Sequence, residues 1–150
     1  MLDLYYNQLT RLPRQLGKMR QLTELALAHN QLTALPPALA RLPHLHALYL
    51  HHNQLSELPP ALARLSTLRQ LDIGYNRFSN VPEAVLALPG LEVFNVGNNN
   101  IQTLPPALAG LKKLRVLYLR SNPVCEADAK TGPRAPLIQA LEANKTGVLY

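Results

Sequence analysis

Apolar and polar positions follow one frame that returns at a fixed interval along the chain. Leu22, Leu25, Leu27, Asn30 and Leu32 recur as Leu45, Leu48, Leu50, Asn53 and Leu55. They recur again as Leu68, Leu71, Ile73, Asn76 and Phe78, then as Leu91, Phe94, Val96, Asn99 and Ile101, and last as Leu114, Leu117, Leu119, Asn122 and Val124. Asn7, Asn30, Asn53, Asn76, Asn99 and Asn122 follow one another with a constant period of 23. Around the central apolar pair the alternation has period two, which predicts a short strand with one apolar face. A second segment follows each asparagine, as in Leu35-Pro36, Leu39 and Leu42. Its spacing is helical, and proline opens it with φ already set, so it predicts a short 3₁₀ or α turn.

One such unit cannot bury its apolar face alone. Stacking successive copies as parallel strands gives a continuous core. The asparagine stands where the chain leaves the strand. Its amide is predicted to bond backbone groups of its own turn and of the next coil, and losing it would strand buried polar groups at about 1–3 kcal/mol.

The frame L-x-x-L-x-L-x-x-N-x-L followed by L-P-x-x-L-x-x-L resembles the leucine-rich repeat family over residues 1 to 124. The resemblance implies an α/β fold: a right-handed solenoid with parallel β-strands on the concave face, short 3₁₀ or α turns on the convex face, and a C-terminal helical cap. The 23-residue LPxxL form is most similar to intracellular members, which implies a cytoplasmic protein used for scaffolding or recognition, without catalysis. Delivery into a host cell as an effector is compatible with this form. One domain over 1–150 is expected, with repeats at 1–21, 22–44, 45–67, 68–90, 91–113 and 114–124 and a cap at 125–150.

The ends are less regular. The first copy starts at once with Leu2 and Leu4 as strand residues and no polar segment to cover them. A homodimer through this uncapped coil, burying Leu2, Leu4 and Leu9, is one expectation. Excision from a larger enzyme, such as a kinase, GTPase or ubiquitin ligase that the module would target, is another. After Asn122-Pro123 an irregular stretch runs from Cys125 to Pro133. Pro136, Leu137, Ile138, Ala140 and Leu141 then read as a short helix ended by Asn144 and Gly147.

The register also fixes what faces outward on the strands. The position between the inward pair runs Asp3, Ala26, Tyr49, Asp72, Asn95 and Tyr118. The position after the pair runs Tyr5, Ala28, His51, Gly74, Gly97 and Arg120, and the next runs Tyr6, His29, His52, Tyr75, Asn98 and Ser121. Five of the six tyrosines fall in these columns. Leucine dominates the chain and fills the core, so these rings are not needed there. Exposed tyrosines bury area at low entropic cost and keep a hydroxyl for bonding, as binding surfaces require. Tyr5, Tyr6, His29, Tyr49, His51, His52, Asp72, Tyr75, Asn95, Tyr118 and Arg120 are therefore the candidate contacts for a protein or peptide partner.

Composition narrows the remaining classes. Hydrophobic residues make up 47%, enough to exclude a disordered chain despite thirteen prolines. No apolar run approaches the ~20 residues of a membrane span. The formal charge of +6 suggests nucleic acid, but Arg11, Arg14, Lys18, Arg20, Arg41, Arg64, Lys112 and Lys113 lie on the return segments. A phosphate-tracking concave groove needs the reverse, so no nucleic acid is expected there and the convex cations read as a solvated face. No cysteine or carboxylate has an obvious place to complete a ligand set with His29, His51 and His52, although Asp72 is one coil away, so no metal and no cofactor is expected. The lone Cys125 has no partnered histidine and fits a reducing compartment. No phosphate-cradling, zinc-protease or serine-hydrolase motif is present. Asn144-Lys145-Thr146 fits a glycosylation acceptor, but the first residues lack a secretory signal.

Overall fold

The repeat period becomes one coil per copy of the frame. The computed structural model describes residues 1–125 and 136–150. Seven strands form one parallel sheet in chain order: β1 (Leu2–Asp3), β2 (Glu24–Ala26), β3 (Ala47–Tyr49), β4 (Gln70–Asp72), β5 (Val93–Asn95), β6 (Val116–Tyr118) and β7 (Gly147–Leu149). From β1 to β6 the pairing matches the repeat frame: Leu2 opposite Leu25, Leu25 opposite Leu48, Leu48 opposite Leu71, then Phe94 and Leu117. From Leu25 onward this file is at most 2% exposed, so each member contributes about 1.5–3 kcal/mol of apolar burial. Phe78 and Phe94 occupy leucine positions of the frame and are fully buried.

The return segments are short helical turns, as their spacing predicts. Arg14–Lys18, Pro37–Arg41, Pro60–Arg64 and Pro106–Gly110 are 3₁₀ turns, and Glu83–Leu86 is one α-helical turn. Each buries the leucine or valine at its centre, Leu16, Leu39, Leu62, Val85 and Leu108. The first two turns pack closely because Gly17 stands against the backbone of the next coil. A Cβ at that position would overlap the Ala38 carbonyl oxygen.

The asparagine file is present, but it bonds backward, toward the preceding coil and not the next. Asn53 Oδ1 accepts from the Leu32 N–H at 2.9 Å, while its Nδ2 donates to Leu27 O in the preceding coil and to Leu50 O in its own, both at 3.0 Å. Asn30, Asn76, Asn99 and Asn122 repeat this arrangement. The direction follows from the turn itself. The N–H two residues past each asparagine faces the following coil, so only that coil's amide can close on it. The Asn7 side-chain amide bonds only within its own turn, donating to Leu4 O and Tyr5 O, and the residue is exposed.

The C-terminal cap contains its helix (Pro136–Ala143), with Ile138 and Leu141 buried. It also contains β7, which the frame does not predict: Leu117 pairs with Val148, whereas one further period would have brought Ala140 opposite it. Gly147 therefore starts a strand, and the helix ends before Asn144. Thr146 is buried, donating its hydroxyl to Leu114 O at 2.7 Å. Asn144 donates to Ala109 O at 3.3 Å, so the acceptor-like triplet is part of the packing. Residues 123–125 are helical, so Cys125 does not open irregular chain as expected, and the remainder of that stretch, to Pro133, lies outside the described residues. Cys125 Sγ contacts Leu119 O at 3.1 Å. Leu2, Leu4 and Leu9 are half-buried at the first coil, with Met1 and Met19 exposed beside them. No helix among the described residues is long and apolar enough to cross a membrane.

Candidate functional site

The sheet pairing sets Asp3, Ala26, Tyr49, Asp72, Asn95 and Tyr118 side by side in one row across the strands. Leu149 of β7 extends this row and is 48% exposed. Three members of the row bend the chain that follows. Asp3, Asp72 and Asn95 each accept, through a side-chain oxygen, the N–H two residues on, at Tyr5, Gly74 and Gly97. Such local bonds turn the backbone as the strand ends. They also crowd Gly74 and Gly97, where a Cβ would lie 3.2 Å from Asp72 Oδ1 and Asn95 Oδ1 respectively.

The next step along the chain brings a feature absent from the sequence reading. Tyr6, His29, His52, Tyr75, Asn98 and Ser121 all have φ between 51° and 57°. This left-handed conformation costs an L-residue about 1–2 kcal/mol. Coil spacing imposes it. In this conformation Tyr6, His29, His52 and Tyr75 each donate N–H to the next coil, at Ala28 O, His51 O, Gly74 O and Gly97 O. Asn7, Asn30 and Asn53, the residues after the first three, do the same.

Four of these strained residues carry rings, and the rings stack. His29 lies over His52 with centroids 4.0 Å apart and planes 21° apart, and His52 lies over Tyr75 at 4.0 Å and 13°. Tyr6 continues the file against His29 at 5.2 Å. Tyr5 and His51 lean edge-on against His29 at 5.1 and 5.8 Å. A ring pair is worth about 0.5–1.5 kcal/mol beyond its buried area, so stacking offsets only part of the left-handed cost and leaves the ladder held mainly by its backbone bonds. Tyr6 is 74% exposed, Tyr5 48% and Tyr75 44%, so the file presents aromatic edges and hydroxyls to solvent. A cavity of ≈ 530 Å³ opens along its outer side, lined by Tyr6, His29 and His52 with Asn7, Gln8, Asn30 and Gln31.

Beside the ladder the face is acidic. Tyr49, half-buried, donates its hydroxyl to Gln70 Oε1 at 3.2 Å. Burial pushes its phenol up, and the negative charges of Glu24 and Asp72 push it further. His51 Nδ1 is 3.4 Å from Asp72 Oδ2, within ion-pair reach but not aligned as a hydrogen bond. Burial lowers the His52 pKa from its ordinary value; the neighbouring His29 and His51 lower it further, and Asp72 opposes them. Arg120 is exposed at the far end of the face near half-buried Tyr118. Arg69 and Arg115 flank Glu92 at the strand starts, at 2.8 and 3.7 Å.

The structure thus brings Tyr5, Tyr6, His29, His51, His52 and Tyr75 into one ring cluster, with Tyr49 and Asp72 adjoining it. It leaves Asn95, Tyr118 and Arg120 as a separate stretch toward the C-terminal coils. Stacked imidazoles present faces to one another, not lone pairs to a shared point. Among the described residues no group of three or more metal-ligating side chains converges.

A family model described as leucine rich repeat matches residues 20–78 and 66–124. No curated protein matches the sequence. Among solved structures, a leucine-rich repeat protein of Leptospira interrogans is 32% identical over 99% of this chain, with a TM-score of 0.84. The functional domain of InlJ from Listeria monocytogenes is 25% identical over 81% of the chain, with a TM-score of 0.68, and is described as including a cysteine ladder. With Cys125 as its single cysteine, this chain cannot form such a ladder. The chain spans 36% and 25% of the lengths of those two structures.

Proposed function

Because the chain belongs to the leucine-rich repeat family, whose folds generally serve as protein-interaction modules, we propose that it is a non-catalytic module that binds a protein or peptide across its concave strand face. The observation that carries this reading is the exposed ring file Tyr6–His29–His52–Tyr75, whose side chains the core does not need. Rigid aromatic edges give a partner large contact area with little side-chain entropy left to lose. Tyr49, His51 and Asp72 add hydrogen-bonding groups beside the file, and Ala28 and Gly74 keep the floor between them low. Asn95, Tyr118 and Arg120 extend the contact toward the C-terminal coils. The greater length of the matched structures favours a second reading, in which the same face is the targeting surface of a longer protein.

The test is a pull-down from the native lysate with the wild-type chain and with Tyr49→Ala/Tyr75→Ala, both first shown to fold by circular dichroism. Loss of one or more captured proteins from the double variant is the expected result. Retention of every one of them with the fold intact removes the concave face from the account.

A further inference from the structure

The convex turns of the first three coils carry cations that nothing in the repeat requires. In a 3₁₀ turn, side chains three residues apart eclipse one another. Within Arg14–Lys18, Pro37–Arg41 and Pro60–Arg64 this sets Gln15 beneath Lys18, Ala38 beneath Arg41 and Ala61 beneath Arg64. The alanines below Arg41 and Arg64 leave a depression of ≈ 570 Å³, lined by Arg14, Gln15, Lys18, Arg41 and Arg64 over Pro37, Ala38, Ala40 and Ala61. All four cations are exposed, and none is in an ion pair with a carboxylate among the described residues.

The same frame position holds Ala87 and Gly110 in the next two coils. A cation is therefore optional there, and stacking Lys18, Arg41 and Arg64 on consecutive coils is mildly repulsive. An unneutralised row at a tolerant position marks a surface that meets negative charge.

We propose that this convex depression binds an acidic protein segment, its carboxylates meeting the row of cations and its small apolar residues resting on the alanine and proline floor. Planar guanidinium groups suit carboxylates through paired hydrogen bonds. Three features of the depression favour this occupant. Single-stranded nucleic acid needs aromatic platforms between the cations, and the lining has none. An anionic membrane surface needs large apolar or aromatic side chains to insert, and the lining offers only alanine and proline. Peptide carboxylates spaced by small residues match both walls and floor. This surface is separate from the concave ring file, so either can fail without the other.

Fluorescence anisotropy at low salt tests the proposal with a labelled peptide of alternating Glu and Ala, using the full chain. Lys18→Gln/Arg41→Gln/Arg64→Gln is compared with Arg69→Gln/Lys112→Gln/Arg115→Gln, which removes the same charge elsewhere. Exposed charge pairs are individually weak, so the first variant is expected to lose about tenfold in affinity and the second about twofold or less. Equal losses in the two variants would mean that net charge alone attracts the peptide and would overturn the proposal. No binding by the wild type overturns it as well. Tighter binding of an oligothymidylate or of phosphatidylserine vesicles, lost in the first variant, assigns the surface to another class of ligand and also overturns it. So does self-association in sedimentation that the first variant abolishes, since the occupant is then a second copy of the chain.

Discussion

The imidazole of His52 lies against the phenol ring of Tyr75 with centroids 4.0 Å apart and planes 13° apart, although both residues sit in left-handed backbone. The stack and the strain have one origin. The coil repeat places both residues at the same point of the turn, where each N–H must reach the next coil. Side chains at that point project in one file, and rings at coil spacing come into contact.

Glycine should therefore be better tolerated than alanine at Tyr75. Both replacements lose the stack, but only glycine enters φ of 51° without a Cβ penalty. Chemical denaturation is expected to find Tyr75→Gly more stable than Tyr75→Ala by about 1 kcal/mol, against the usual order of the two residues in regular structure. Equal stabilities would show that the backbone there carries no strain.

The amide file predicts unequal costs for one substitution. Asn53 is buried and bonds both its own coil and the one before. Asn53→Ala leaves the buried Leu32 N–H without a partner, while Leu27 O and Leu50 O each keep one amide donor, from Asn30 and Asn76, so it should cost about 2 kcal/mol. Asn7→Ala loses two exposed bonds within one turn and should cost about 1 kcal/mol or less. Urea midpoints of the two variants check the difference.

Two glycines of the return segments predict opposite signs. Gly17→Ala forces a methyl into the Ala38 carbonyl and should destabilise by about 1–3 kcal/mol. Gly110, at the end of its 3₁₀ turn, has open space where a Cβ would go. Gly110→Ala should stabilise by about 0.4–1 kcal/mol through the unfolded chain's lost freedom. Thermal unfolding of both variants measures this directly.

Stability should also fall on mild acidification. In the folded chain His52 binds a proton less readily than its ordinary value of 6.5 implies, because of burial and the neighbouring His29 and His51. The unfolded chain therefore takes up the proton first. Stability is full above about pH 6.5, declines as pH drops through that value, and levels once the folded His52 is itself protonated. The midpoint of thermal unfolding should be lower at pH 5 than at pH 7.5, and His52→Gln should shrink the difference. An unchanged pH dependence in that variant would place the effect elsewhere.

Much of this architecture is legible before any coordinates. A strict period of 23 makes the register of Leu25, Leu48 and Leu71 unambiguous, and with it the outward rows of Tyr49, Asp72 and Tyr118. Three features escape the pattern for physical reasons. β7 follows β6 at more than one period of the frame, and Gly147-Val148-Leu149 carries none of its leucine–asparagine signature. The backward reach of the amides depends on which way the turn N–H groups face, which spacing does not encode. The left-handed row is hidden because Tyr6 and Tyr75 do not favour that conformation, and His29 and His52 enter it less often than other backbone regions. Asn98, in the same row, was the available signal, since asparagine tolerates left-handed backbone.

Site-specific photo-crosslinking tests most directly whether a partner docks on the strand face. A benzophenone side chain is placed at Val93, beside the central row of the sheet, or at Ala107, exposed on a convex turn of the fifth coil. Irradiation in the native lysate should give a protein adduct from Val93 that disappears with Tyr49→Ala/Tyr75→Ala, and none from Ala107. Adducts from Ala107 with none from Val93, or a Val93 adduct indifferent to the double variant, would contradict the assignment.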